Sequence, residues 1–435
     1  MRKIITILLL SYSSLAFSQN YTTYFTGNTN DLVVNPSGGI CLSGGAVEHD
    51  NAMQWFLERA NGGDILILRA SGSDGYNNYF YSQLGVTVNS VETIVFNDAS
   101  AANETYIHQK IANAEAIWLA GGDQWDYVSY WRETAIDSLI NDGLQNRNIV
   151  IGGHSAGMAV LGGIYFSAEF GTVTSSTALA NPYDSDVKID TLPFFKNDIL
   201  DNVITDTHYD SPDRRGRHMT FLARALTDWN ISARGIACDE YTAICIDTNG
   251  IANIFGEYPA YDEDVYFLQI NCENTSILPE NCTNGQPLDW NLNGDAVKVY
   301  RVKGTIDGIN TFDLNDWETG TGGVWENWSV DNGILKTVVG SPIDFTNCIP
   351  VSTREVEIQP ISIFPNPVTN GYFNIKTSIA IDNILISNIS GQIVKTITKT
   401  IEQEETIDIS SLTSGIYFVH FQTNTSSYFA KLILD

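Results

Sequence analysis

The chain has 435 residues, more than one hydrophobic core usually holds, so two or three domains are expected. A hydrophobic content of 43% fits globular packing and argues against a disordered chain. The formal charge of −28, spread over the chain without a long acidic block, argues against nucleic acid as a partner and suits a protein that tolerates cationic ligands.

In chain order, Arg2 and Lys3 precede the apolar run Ile4–Leu10 and the small-residue site Ala16-Phe17-Ser18. This is the pattern of a signal peptide over 1–18, with the mature chain starting near Gln19. The apolar run is too short for a membrane span. The region 19–270 alternates strand and helix patterns. Strands are predicted at Ile40–Leu42, Ile65–Leu68, Val91–Phe96, Ala116–Leu119 and Asn148–Ile151. Helices are predicted at Asn51–Ala60, Ala101–Ala114 and Tyr127–Ile140. That alternation implies an α/β fold, a parallel sheet with helices on both faces. Gly44-Gly45, Gly121-Gly122 and Gly152-Gly153 each follow or end a predicted strand, so they should share the carboxyl edge where such folds place their sites.

From Asn271 the composition turns polar, and residues 271–350 read as a β-rich extension. Residues 351–435 show short strands separated by turn signals, the pattern of a β-sandwich. Of the six cysteines, Cys272 and Cys282 bracket one polar loop and are the expected disulfide. Cys41 lies on a buried strand, and no spacing reads as a zinc site.

The strongest chemical signal is "VIGGHSAGMAV" at Val150–Val160. A Gly-x-Ser-x-Gly turn between strand and helix exposes a serine hydroxyl and presents the following amide, here Ala156, to a developing oxyanion. Ser155 is then a candidate nucleophile and needs a base. His154 should point away from the hydroxyl; His49 and His108 read as solvated helix positions, and His420 lies in the C-terminal region. His208, at the end of the apolar run Val203–Ile204, is favoured over His218. For the carboxylate, Glu240 in "GIACDEYTAICID" has Asp239 as its rival, since alternation turns only one inward. Asp206 shares a strand face with His208 but lacks an obvious reach to its ring. Arg214, Arg215 and Arg217 form a basic cluster suited to carboxylate recognition.

Residues 38–268 resemble the cyanophycinase branch of the serine peptidases related to dipeptidase E. The carrying motifs are "SGGA", "LAGGDQ", "GGHSAGM", "DTHYDSPDRRGRHMTFLARAL" and "GIACDEYTAICID". The resemblance implies a class I glutamine amidotransferase-like fold. It assigns Ser155 as nucleophile, His208 as base and Glu240 as acid, with oxyanion amides from Gly122 and Ala156. Gln124 would line the substrate pocket, and Asp206, Arg214 and Arg217 would shape or bind substrate. It implies a cyanophycin-like polymer or β-aspartyl peptide as substrate, and no metal or organic cofactor. The chain departs from the family pattern at His154, at Pro212, where the family has an arginine, and at Ser43-Gly44-Gly45-Ala46.

The segments "FPNP", "NISGQIV", "IDISSLTSGIYFVHF" and "AKLILD" resemble the C-terminal sorting domain of type IX secretion cargo. That implies the type IX machinery as a partner and export across both membranes, to the cell surface or beyond. The expectation is therefore a secreted serine exopeptidase, with a homodimer left open. Its alternatives are an exported aspartyl dipeptidase of the same fold and an inactive, polymer-binding surface protein.

Overall fold

The computed structural model describes residues 19–192, 194–348, 361–369, 371–377, 379–388, 393–401, 403–423 and 427–434. The expected signal peptide lies outside them. The chain divides into two compact units, Met1–Cys348 and Ile349–Asp435.

The first unit opens with β1 (Tyr21–Gly27), β2 (Gly39–Ser43), β3 (Asp64–Arg69), β4 (Ser90–Phe96), β5 (Ala116–Leu119) and β6 (Val150–His154). A short pair, β7 (Tyr165–Phe166) and β8 (Ile189–Asp190), precedes β9 (Val203–Asp206), β10 (Arg234–Cys238), β11 (Ala243–Ile246), β12 (Ile251–Tyr258) and β13 (Asp264–Ile270). The unit closes with β14 (Val297–Lys303), β15 (Asn310–Asp313), β16 (Gly320–Thr321), β17 (Gly323–Asp331) and β18 (Ile334–Val339).

Ten strands form one mixed sheet in the order β1-β4-β3-β5-β6-β2-β11-β12-β15-β16. Its centre, β4-β3-β5-β6-β2, is parallel. These central strands are nearly continuous apolar runs, as burial on both faces requires. The flanking pairings, β1 on β4 and β11 on β2, are antiparallel. A second sheet runs β18-β17-β14-β13-β10-β9, with only β9 and β10 parallel. The β-rich segment after residue 271 thus supplies strands that continue both sheets of this unit.

Two expected helices are broken, for local reasons. The run from Ala101 splits at Glu104 into a 3-10 turn, Ala99–Asn103, and a helix, Thr105–Asn113. The run Tyr127–Ile140 becomes Gln124–Trp131 and Ala135–Asp142. Glu133 is left-handed at φ 59°, and the Thr134 hydroxyl accepts the Ile136 N–H as an N-cap. His49 is not solvated: it is buried before the helix Asp50–Glu58, 3.5 Å from Glu257. The expected Cys272–Cys282 disulfide is replaced by Cys272–Cys348. Cys282 is buried in the core cluster that also holds Trp290 and Leu288, while Cys348 brings its Cα within 4.9 Å of that of Cys272.

The second unit is all β in its described residues. One sheet is Ile361–Phe364, Tyr372–Thr377 and Glu404–Asp408; the other is Ile393–Ile401, Ile381–Asn388, Gly415–Gln422 and Ser427–Leu434. Alternate residues such as Phe373, Ile375, Ile384, Ile386, Val419 and Phe421 point into one shared core.

Candidate active site

The sheet topology brings the glycine-rich loops together. Strands β5, β6 and β2 are parallel neighbours, so the turns after Leu119, His154 and Ser43 emerge on one edge. In the second sheet the parallel pair β9 and β10 ends at Asp206 and Cys238, which sends out His208 and Glu240 side by side. Backbone hydrogen bonds fasten these loops. His208 N–H donates to Gly44 O at 2.8 Å, Tyr241 N–H to Gly45 O at 3.1 Å, and Gly44 N–H to Thr242 O at 3.0 Å.

Ser155 sits on the turn from β6 into the short helix Ala156–Ala159, with φ 52° and ψ −115°. Such a backbone costs about 1–3 kcal/mol and is characteristic of sites that must expose a side chain. The flanking glycines are required sterically. A Cβ on Gly157 would fall 2.0 Å from Leu119 O, and one on Gly153 would fall 2.4 Å from the Gly157 carbonyl carbon. His208 and Tyr241 are also left-handed, at φ 46° and 62°. Gly45, at φ +138°, leaves the space that the His208 ring fills; a Cβ there would lie 2.3 Å from the ring.

The structure brings Ser155, His208 and Glu240 into one line. Ser155 Oγ is 2.8 Å from His208 Nε2, and His208 Nδ1 is 2.6 Å from Glu240 Oε1. Both ring nitrogens are thereby assigned: Nδ1–H donates to the carboxylate, and Nε2 accepts from the hydroxyl. His208 and Glu240 are each about a quarter exposed, so the line opens to solvent.

The rival residues lie elsewhere. His218 is fully buried against the Tyr209 ring, in the space a side chain on Gly235 would need, and burial holds its pKa at about 4. Asp239 is buried behind Glu240 and accepts the Asp264 N–H at 2.8 Å. His154 turns from Ser155 toward Gly121 and Glu48, 3.9 Å from the Glu48 carboxylate. Burial, opposed by Glu48, lowers its pKa, so it remains a neutral packing residue beneath the Gly121-Gly122 loop. Glu48 also accepts from the Tyr76 hydroxyl. Glu48 and Tyr76 did not stand out in the sequence; the position of Glu48, just past the β2 turn, was the available signal.

A cleft of about 400 Å³ opens at Ser155 and is lined by Gly122, Gln124, Ala156, His208, Arg214 and Arg217, together with Asp123, Glu169 and Thr172. The amides of Gly122 and Ala156 thus belong to residues of the same wall. Gln124 is fixed by donating from Nε2 to Phe166 O.

The basic cluster separates three ways. Arg215 is a surface residue that forks onto Asp213, at 2.9 and 2.7 Å. Arg217 is buried and pairs with both oxygens of buried Asp206, and its Nη1 also donates to Thr172 Oγ1 and Val173 O. Burial alone would raise the Asp206 carboxyl; the Arg217 charge and hydrogen bonds outweigh it and hold the group below its ordinary value. Among the described residues the Arg214 side chain makes one hydrogen bond, from Nη1 to Thr207 O at 2.8 Å. Burial, and then the neighbouring Arg217 charge, push its pKa down to about 10.

Fold and site together define an α/β protein with its polar cluster at converging carboxyl ends of strands. The model for "Peptidase family S51" matches residues 42–254, and that for "Secretion system C-terminal sorting domain" matches residues 362–435. The chain thus carries over residues 42–254 a domain that matches peptidase family S51, the dipeptidase E and cyanophycinase family, and a type IX sorting domain that directs it to the cell surface or the extracellular space. Among solved structures, a peptidase from an acI-B1 actinobacterium is similar at 15% identity, over 53% of this chain and 91% of that one, with a TM-score of 0.40. A putative peptidase E protein from Listeria monocytogenes EGD-e is similar at 14% identity, over 51% and 98%, with a TM-score of 0.32. No curated protein matches the sequence.

Proposed function

We propose that this secreted peptidase is a serine-type exopeptidase that hydrolyses cyanophycin or related β-aspartyl or isopeptide-linked acidic peptides through an acyl-enzyme. The observation that supports this most is the hydrogen-bonded line from Ser155 through His208 to Glu240. A serine hydroxyl is a poor nucleophile until a base takes its proton. In this reading Ser155 Oγ adds to the scissile carbonyl carbon as His208 Nε2 accepts the hydroxyl proton. Glu240 holds the Nδ1–H and stabilises the imidazolium. The N–H groups of Gly122 and Ala156 bind the oxyanion. Collapse breaks the C–N bond, and His208 gives its proton to the departing amine. Water then adds to the Ser155 ester with His208 again as base, and the acid product leaves.

The substrate side rests on Arg214. Its guanidinium faces the cleft with one hydrogen bond made, so its other donors are free to fork onto a substrate carboxylate. Asp206 and Arg217 satisfy one another and act by holding the cleft wall. Asp123 and Glu169 add acidic groups suited to a cationic substituent such as arginine.

The test is hydrolysis of cyanophycin, β-aspartyl-arginine and α-aspartyl dipeptides by wild type and Ser155→Ala. Cleavage of the β-linked substrates by wild type alone supports the proposal. Preference for α-aspartyl dipeptides would identify an exported aspartyl dipeptidase instead. Hydrolysis that survives the substitution would remove Ser155 from the mechanism.

A further inference from the structure

Behind the Glu240 loop lies a second acidic group that the hydrolytic mechanism does not use. Asp210, two residues past His208, Asp239, one residue before Glu240, and Glu263, just before β13, each bring one carboxylate oxygen within 4.8 Å of the others. Among the described residues none of the three takes part in an ion pair. Of the nearby cations, Arg301 and Lys303 bind Asp264 at 2.9 and 2.8 Å, and Arg214, whose charge acts on Asp210, donates to Thr207 O. Asp239 is only 3% exposed, and its Oδ1 has no hydrogen-bond partner. A buried carboxylate oxygen without a donor, beside two further carboxylates, is relieved either by taking up a proton or by a positive charge that joins the group.

We infer that Asp210, Asp239 and Glu263 form a binding site for a divalent cation of the calcium class, which braces the loop carrying Glu240. The donors are all oxygens, which suits a hard cation rather than zinc or copper. Calcium–oxygen bonds of about 2.3–2.6 Å let ligands on opposite sides of one ion stand about 5 Å apart, which spans this cluster. Magnesium, at about 2.0–2.1 Å, demands a tighter shell. Exposed Asp210 and half-buried Glu263 leave one side open for water ligands and for entry. The link to the candidate site is direct: Asp210 Oδ1 accepts the Glu240 N–H at 3.0 Å. A cation holding Asp210 and Asp239 therefore fixes the backbone on which Glu240 reaches His208. It takes no part in bond breaking. Its bearing on activity rests on the proposed role of Glu240, but its binding does not.

The experiment is calorimetric titration of calcium chloride into the chelator-treated full chain, with melting temperature and hydrogen exchange read in parallel. The chains are wild type, Ser155→Ala, Glu263→Gln and Asp210→Asn. Wild type and Ser155→Ala should bind alike, with Kd on the order of 10⁻⁴–10⁻³ M, the range of extracellular calcium modules, and magnesium more weakly. Glu263→Gln and Asp210→Asn should each weaken binding roughly tenfold or more. Calcium should slow exchange in the segments 207–213 and 239–241. No heat and no melting shift at about 10 mM calcium, binding untouched by both substitutions, or unchanged exchange in those segments would each overturn the inference. Because Ser155→Ala keeps the site, failure of the hydrolytic reading leaves this result unaffected.

Discussion

Two polar clusters border the same cleft and are built on opposite principles. Asp206 and Arg217 are buried, paired at both carboxylate oxygens and saturated by Thr172 and Val173. Ser155, His208 and Glu240 are part-exposed, singly bonded in a line, and carried partly on left-handed backbone. The first arrangement engages all three guanidinium nitrogens of Arg217 and holds a wall still. The second leaves a hydroxyl hydrogen-bonded to an imidazole and presents it on strained, positive-φ backbone. Charged residue types alone do not distinguish such clusters. The number of hydrogen-bond donors still free does, and by that measure Arg214, with one side-chain hydrogen bond, differs from Arg217, with four.

The difference predicts different failures. Ser155→Ala and His208→Ala should each lower kcat by about 10⁶-fold, and the double variant should fall hardly further, because the groups act as a unit. Melting temperatures should stay near wild type; steady-state kinetics with circular dichroism checks this. Asp206→Asn should act on stability instead. It leaves Arg217 buried without its counter-charge, which costs about 3–5 kcal/mol. The sign with pH follows from the depressed Asp206 pKa. The ion pair's contribution is fully present above the ordinary carboxylate range and is lost as pH falls through the lower folded value. Urea titrations at about pH 6 and pH 3 should therefore show the gap between wild type and Asp206→Asn narrowing in acid.

Gly45→Ala tests the geometry without removing a reactive group. The added methyl would meet the His208 ring, and a displacement near 1 Å costs about 10²-fold in rate. Activity should fall by that order while unfolding changes less than in Asp206→Asn. The smallest effect is expected at Arg214. Arg214→Gln should raise KM for carboxylate-bearing substrates about ten- to a hundredfold, with little change for the corresponding amides.

Much of the first unit was legible because its central strands are continuous apolar runs and its turns are glycine-rich. The same signals located Ser155 and, through the apolar run Val203–Ile204, the strand end that carries His208. Three things were hidden for physical reasons. The antiparallel pairings of β1 with β4 and of β11 with β2 join residues far apart in sequence, and no local period reports such pairing. Left-handed Glu133 breaks a helix whose apolar spacing runs straight through it. Cys282 looked available for Cys272 by spacing, yet its side chain belongs to the Trp290 core and Cys348 takes the bond. In the second unit Tyr372–Thr377 turns Phe373 and Ile375 inward, a run too short and too closely bounded by polar turns to stand out by its period. The division of labour among Arg214, Arg215 and Arg217 could not be read from spacing, since their partners lie on different elements.

The central claim is that Ser155 is activated by His208 on the Glu240 side of the cleft. The most direct measurement is mass spectrometry of the full chain after reaction with a fluorophosphonate. A single adduct on the peptide containing Ser155, absent in His208→Ala and forming more slowly in Glu240→Gln, is the predicted result. Peptide hydrolysis by a chain whose Ser155 takes no adduct, or labelling indifferent to His208, would contradict it.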